Sequence, residues 1–182
     1  QGQNGSTVLH WAARSGDLEC IKTVLAVYPD ESTLFQAVNT RDDFGNTVLH
    51  QAARSGAMES IEHILSLYPE SEQSRAVRER CHSGTALHCA AWSGNFESIE
   101  AILLRYPESE HLQALDRTNQ RGETVLHCAA DSNNIECIKS VLSLYTKSQR
   151  RQALKTKDRG GDTVLKHLNA KTRSALREWL SQ

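Results

Sequence analysis

Residues Thr47–Arg54 read TVLHQAAR, and nearly the same eight residues recur four times: TVLHWAAR from Thr7, TALHCAAW from Thr85, TVLHCAAD from Thr124 and TVLKHLNA from Thr163. The five threonines are 40, 38, 39 and 39 residues apart. Repetition at a fixed period overrides other signals. Each copy is one structural unit that cannot bury its apolar face alone and must stack on the next.

The rest of the unit recurs too. GDLECIKTVLAVYPD, GAMESIEHILSLYPE, GNFESIEAILLRYPE and NNIECIKSVLSLYTK follow the first four blocks, and short segments ending QAV, RAV, QAL and QAL follow those. One extra residue lies before the short segment of the first unit, and one is missing from the turn before the third. Each unit predicts three helical pieces. Thr47 is placed to cap the first, whose stripe of Leu49, Ala52 and Ala53 is small enough for close helix packing. Gly56 ends it in a left-handed conformation, with Gly16, Gly94 and Asn133 as counterparts. Met58, Ile61, Ile64, Leu65 and Tyr68 fall on one face of the second piece. Pro69 stops that helix, because proline cannot donate its hydrogen bond. The third piece, SEQSRAV, is one or two turns long and needs neighbours to be stable. Ser71 and Ser109 are placed to cap it in the second and third units.

Composition excludes several classes. A formal net charge of −1 makes no electrostatic case for nucleic acid or an anionic membrane. No apolar run of about 18 residues exists, so no membrane span is expected, and no signal-peptide pattern is present. The five cysteines (Cys20, Cys81, Cys89, Cys128 and Cys137) form no CxxC and are odd in number. A reducing, intracellular setting is expected, without a disulfide framework or a metal site. The 38% apolar and 5% aromatic content suits an elongated protein with a thin core.

DDFGNTVLHQAA, from Asp42 to Ala53, closely resembles the ankyrin repeat, whose pattern is D-x-x-G-x-T-P-L-H-x-A-A. The resemblance covers nearly the whole chain. It implies an all-α solenoid of helix–turn–helix units with β-turn-like tips, to which this chain adds a short helix per unit. The family period is about 33, so each unit carries about six extra residues, assigned to that third piece. Val8, Val48, Ala86, Val125 and Val164 stand where the family has proline, and the third unit has Ser83 before Gly84 in a shortened turn. One ankyrin-repeat domain over 1–182 is expected, with units at 1–39, 40–78, 79–117, 118–156 and a capping unit at 157–182. In that last unit Leu176, Trp179 and Leu180 supply the apolar face, and Lys171, Arg173, Arg177 and Glu178 cover the outside. The first unit shows no such cap, which predicts further protein ahead of Gln1. The elongated unit also resembles repeats of ankyrin-bearing effectors that intracellular bacteria deliver into host cells, which would place the protein in host cytosol.

The resemblance implies that turn tips and first helices line a concave groove, and that a partner protein is recognised at the free positions. After the histidine these are Trp11, Gln51, Cys89 and Cys128. After Ala-Ala they are Arg14, Arg54, Trp92 and Asp131. At the tips they are Asp43, Phe44, Cys81, His82, Gln120 and Arg121. Large aromatics and arginines are the usual anchors of such surfaces, which singles out Trp11, Trp92 and Phe44, against a competing reading in which the tryptophans pack on neighbouring units. His10, His50, His88 and His127 lie near serines, but a catalytic pair needs a unique constellation, not a copy in every unit. The resemblance gives this histidine the task of tethering adjacent turns. Cys20 and Cys137 alternate with Ser60 and Ser98, which reads as a small packed side chain. The reading is a monomeric scaffold for another protein, with no enzymatic activity, no cofactor and no nucleic acid. The alternative is a targeting or regulatory arm of a larger enzyme whose catalytic part lies outside this chain.

Overall fold

A first helix beginning after threonine, a second ending just before tyrosine and a third, shorter or peripheral one recur in the same order four times. The structure is a computed structural model and describes residues 3–181. The first helices are Val8–Ser15, Val48–Ser55, Ala86–Ser93 and Val125–Asp131. The second helices are Leu18–Leu25, Met58–Ser66, Phe96–Leu103 and Ile135–Ser143. The third are Glu31–Asn39, Glu70–Ala76, His111–Asp116 and Lys147–Lys155. A short final helix, Val164–His167, and a longer one, Ala170–Leu180, close the chain.

The local signals act as their chemistry requires. Gly16, Gly56 and Gly94 end the first helices at φ of 73°, 75° and 75°, and Asn133 takes the same left-handed turn at φ 55°. The third helices are capped differently from expectation. Pro69 and Pro107 occupy the N-cap positions, Ser71 and Ser109 lie inside the helical turns that follow, and only Asp30 and Thr146 cap with a side chain. A proline side chain has no acceptor, and the first turns close instead on the proline carbonyls, with Glu72 N–H to Pro69 and Glu110 N–H to Pro107 each at 2.8 Å.

First helices pack on first helices and second on second, in chain order. The buried side chains form one continuous core from Leu9 to Leu176. Polar bolts cross each joint. Ser60 Oγ donates to the Gly16 carbonyl and Ser98 Oγ to that of Gly56, each at 2.8 Å. In the fourth unit Asn134 Nδ2 serves the Gly94 carbonyl instead, at 2.9 Å. Tyr68 and Tyr106 hydroxyls donate to the carbonyls of Val38 and Val77 in the preceding unit, at 3.1 and 2.7 Å. The small-side-chain reading of the Cys20 position therefore holds where a unit lies ahead, with Cys137 2% exposed, but Cys20 itself is exposed. Val8 is likewise 70% exposed, whereas Val48, Ala86, Val125 and Val164 are fully covered.

The final unit is abbreviated. Leu168 turns extended after four helical residues, and Asn169 caps the last helix by accepting from Thr172 N–H. Leu168 and Leu176 are buried, and the Trp179 ring packs under the Arg150 guanidinium at 5.3 Å. Leu180 is 38% exposed and so is not part of the apolar face expected of it. Among the described residues no helix is long and apolar enough to cross a membrane.

Candidate functional site

In two of the tips one side chain folds the turn. Asp42 Oδ1 accepts from the N–H groups of Phe44 and Asn46 at 3.0 and 2.8 Å, and Asn119 Oδ1 accepts from Arg121 and Glu123 at 2.8 and 3.0 Å. Neighbouring tips are joined by backbone bonds from Asp43 to Asn4, His82 to Phe44 and Arg159 to Arg121. The shortened third turn closes instead through paired bonds between Cys81 and Gly84.

The repeated histidine ties the start of its helix to the chain at the next tip. Its Nδ1 faces the N-cap threonine, as in Thr85 N–H to His88 Nδ1 at 3.1 Å. Its Nε2 faces a carbonyl in or just ahead of the next tip: Asn46, Glu79, Arg117 and Thr156 for His10, His50, His88 and His127, at 3.0, 3.1, 2.9 and 3.1 Å. A carbonyl only accepts, so Nε2 carries the proton. Burial holds His88 down to about 4 and also lowers His127, which keeps these rings neutral. The tethering task is what the contacts describe.

First helices and tips together line a cleft of about 430 Å³ across the first three units, bounded by Trp11, Arg14, Phe44, Gln51, Arg54 and His82. A family model described as Ankyrin repeats (3 copies) matches residues 9–114. The chain belongs to the ankyrin-repeat family. Among curated proteins, none matches it. Ankyrin repeats are in general protein-interaction modules, typically without catalytic activity.

Within this ankyrin-repeat groove the variable residues divide. Trp11 is 54% exposed and Phe44 49%, and Arg14, Asp43, His82, Gln120, Arg121 and Asp131 are also exposed. Arg54 and Trp92 are half-buried. Four expected contact residues are corrected: Cys89 and Cys128 are fully buried, and Gln51 and Cys81 are each 7% exposed. The position after the histidine lies between adjacent first helices, so it is closed wherever units stand on both sides. Cys81 is drawn inward by its shortened turn, where the Cys89 thiol and His50 lower its pKa. Gln51 still shapes the floor, accepting from Arg14 at 3.3 Å and donating to Asp42 Oδ2 at 3.2 Å.

Trp92 belongs partly to both readings. Arg54 lies over its ring at 4.7 Å and Arg121 at 5.3 Å, and its Nε1 donates to Asp131 Oδ2 at 3.3 Å. Its faces are thus already engaged by the ankyrin-repeat framework. Asp131 in turn pairs through Oδ1 with His167 Nδ1 at 2.8 Å. Ligand atoms of Glu123, Asp131 and His167 lie within 4.8 Å of one another. The cluster is knitted by its own hydrogen bonds, including Asn119 Nδ2 to Glu123 Oε2 at 2.6 Å. His167 escaped the sequence reading because it stands one residue past the repeated histidine position, in the unit where the pattern decays. Asn4, Ser6 and Ser83 also line the cleft and carry no distinguishing sequence signal.

Proposed function

We propose that this protein is a monomeric scaffold that binds a partner protein in its concave groove, with the principal contact in the first three units. The observation that carries this reading is the pair Trp11 and Phe44. Both rings are about half exposed, and both line one cleft together with Arg14 and Arg54. Exposed aromatics beside arginines in a concave surface are the usual anchors of recognition. Trp92 is a weaker anchor than Trp11, since its ring is stacked within the array. Five free thiols suit a reducing compartment. The groove performs no chemistry in this reading. Its histidines are consumed in structural hydrogen bonds.

The test is differential capture of partners by the wild type, by Trp11→Ala plus Phe44→Ala, and by Val27→Ser plus Leu104→Ser. The last pair substitutes exposed apolar residues outside the cleft. Proteins bound specifically should be lost with the first double variant and kept with the second. Retention of every partner by the first would rule the groove out.

A further inference from the structure

We infer that the N-terminal half of the groove selects an extended acidic peptide segment, with carboxylates three residues apart and an apolar side chain beside them. The inference rests on the groove reading above and adds the chemistry of what is bound.

The acidic group that lines the cleft is spent. Asp42 is 6% exposed, and its two oxygens accept from the N–H groups of Phe44 and Asn46, the Asn46 amide and Gln51 Nε2. Asp43, at the tip, leans over Gly5, with Oδ1 2.5 Å from where a Cβ there would lie, and does not line the cleft. The guanidiniums are not spent. Arg14 donates only to the neutral Gln51, and Arg54 lies over the Trp92 ring. Neither is in an ion pair among the described residues, whereas Arg121 further along the groove has Glu123 at 3.5 Å. The cleft therefore presents two uncompensated cations and two exposed rings. A carboxylate gains a charge-assisted, bidentate partner there, and a cationic segment meets repulsion.

The spacing sets the register. Arg14 and Arg54 hold the same position on consecutive first helices, and packed helix axes lie about 8–10 Å apart. A polyproline II chain has three residues per turn and advances about 3.1 Å per residue, so carboxylates three residues apart lie on one side of it, about 9 Å apart. An intervening apolar side chain then reaches Trp11 and Phe44. A nucleic acid fits less well, because the exposed Asp131 and the Glu123 partner of Arg121 lie further along the groove and interrupt any continuous basic track.

The test uses the full chain and three fluorescein-labelled decapeptides. All carry one leucine and one phenylalanine in a Gly/Ser background, with a Glu-x-x-Glu, Gln-x-x-Gln or Lys-x-x-Lys pair. Fluorescence anisotropy at low salt should give at least tenfold tighter binding of the glutamate peptide. Arg14→Gln plus Arg54→Gln should abolish that advantage. Lys147→Gln plus Arg151→Gln, which removes two cations from a separate cleft of about 420 Å³, should preserve it. Circular dichroism checks that each variant folds. Equal binding of the glutamate and glutamine peptides, survival of the advantage in the first variant, or its loss in the second overturns the inference. So does equally tight binding of labelled oligothymidine. If the peptides bind alike yet all weaken in Trp11→Ala plus Phe44→Ala, the charge preference falls and the groove reading stands. If that variant also leaves both peptide binding and partner capture intact, the groove reading falls with it.

Discussion

His88 ties the start of its helix to the chain entering the next tip through a single neutral ring: Nε2–H donates to the Arg117 carbonyl at 2.9 Å while Nδ1 accepts from Thr85 N–H at 3.1 Å. Protonation would turn Nδ1 from acceptor to donor and set it against that N–H. Burial holds the folded-state value down to about 4, against 6.5 when unfolded. Between those values the unfolded chain binds the extra proton, so stability is complete above 6.5 and falls as pH drops towards 4. His88 alone then costs about 2 kcal/mol at pH 5, and His127 acts in the same direction. Asp30 and Asp158, whose values are lowered by backbone N–H groups, keep their stabilising contribution at pH 5 and lose it only as pH falls below the ordinary carboxylate range. Urea unfolding at pH 7.5 and pH 5 reads the loss, and His88→Gln should reduce the difference between the two. Equal wild-type stability at both would refute the tether's acid sensitivity.

Tyr106 anchors the third unit to the second by a buried bond to the Val77 carbonyl at 2.7 Å. Tyr106→Phe keeps the ring and strands that carbonyl, at a cost of about 1–2 kcal/mol. Tyr106→Ala should cost about 3–5 kcal/mol through the cavity it leaves. Burial also pushes the phenol up to about 12, so its absorbance change in alkali should come only as the chain unfolds. Tyr106→Phe with wild-type stability would show the bond to be dispensable.

Gly56 and Gly161 separate backbone strain from crowding. Both have positive φ, 75° and 82°. A Cβ on Gly56 would lie 2.7 Å from Ser93 Oγ and 2.8 Å from its Cβ, whereas nothing lies within 4 Å of one on Gly161. Gly161→Ala should cost only the left-handed penalty, about 1–2 kcal/mol. Gly56→Ala should cost at least about 1 kcal/mol more, since it also forces apart two units of a close-packed joint. Equal losses in thermal unfolding would mean that the joint accommodates the methyl group.

The architecture was legible because the period and the capping threonines are local chemistry written in every unit, and the glycine and proline stops in the first three. Gly56 must end its helix whatever lies around it. The groove was legible only in part, because exposure is decided between units. Trp11 and Cys89 hold the same position in the pattern, yet one is half exposed and the other fully buried. Cys89 has units on both sides, and the described residues ahead of Trp11 are few. Cys81 moved inward through a one-residue deletion whose effect depends on where the shortened turn closes. The Tyr68 and Tyr106 bolts were hidden for a related reason: spacing places the rings on the core face but does not say what the hydroxyls reach.

The thiols should react in an order set by exposure. Cys20 is exposed, Cys89 and Cys128 are fully buried, and Cys137 is 2% exposed with its thiol pushed up to about 12 by burial. Burial raises Cys128 as well. An aromatic disulfide reagent should therefore modify one thiol rapidly in the native protein and all five in denaturant. Cys20→Ser should remove the fast phase. Cys81, 7% exposed with a lowered pKa, should follow more slowly. Fast modification of Cys89 or Cys128 in the native chain would contradict their burial.

Removal of residues 157–182 tests whether the abbreviated last unit is a cap. Val164, Leu168 and Leu176 are buried there, and polar contacts from His167 to Asp131 and from Thr172 to the Asn133 carbonyl, at 2.8 and 3.3 Å, pin the unit to its neighbour. At about 2 kcal/mol for each buried aliphatic side chain, the loss is on the order of 5 kcal/mol. The newly opened face would be that of the Val125–Asp131 and Ile135–Ser143 helices, on which the final two helices now pack. The truncated protein should unfold at a lower denaturant concentration, bind a hydrophobic dye and self-associate at high concentration. Stacking energies add between nearest neighbours, so Trp11 at the far end should keep its native fluorescence below the new midpoint. A truncated chain with the unfolding midpoint of the full one would mean that the last unit is carried by the array without sealing it.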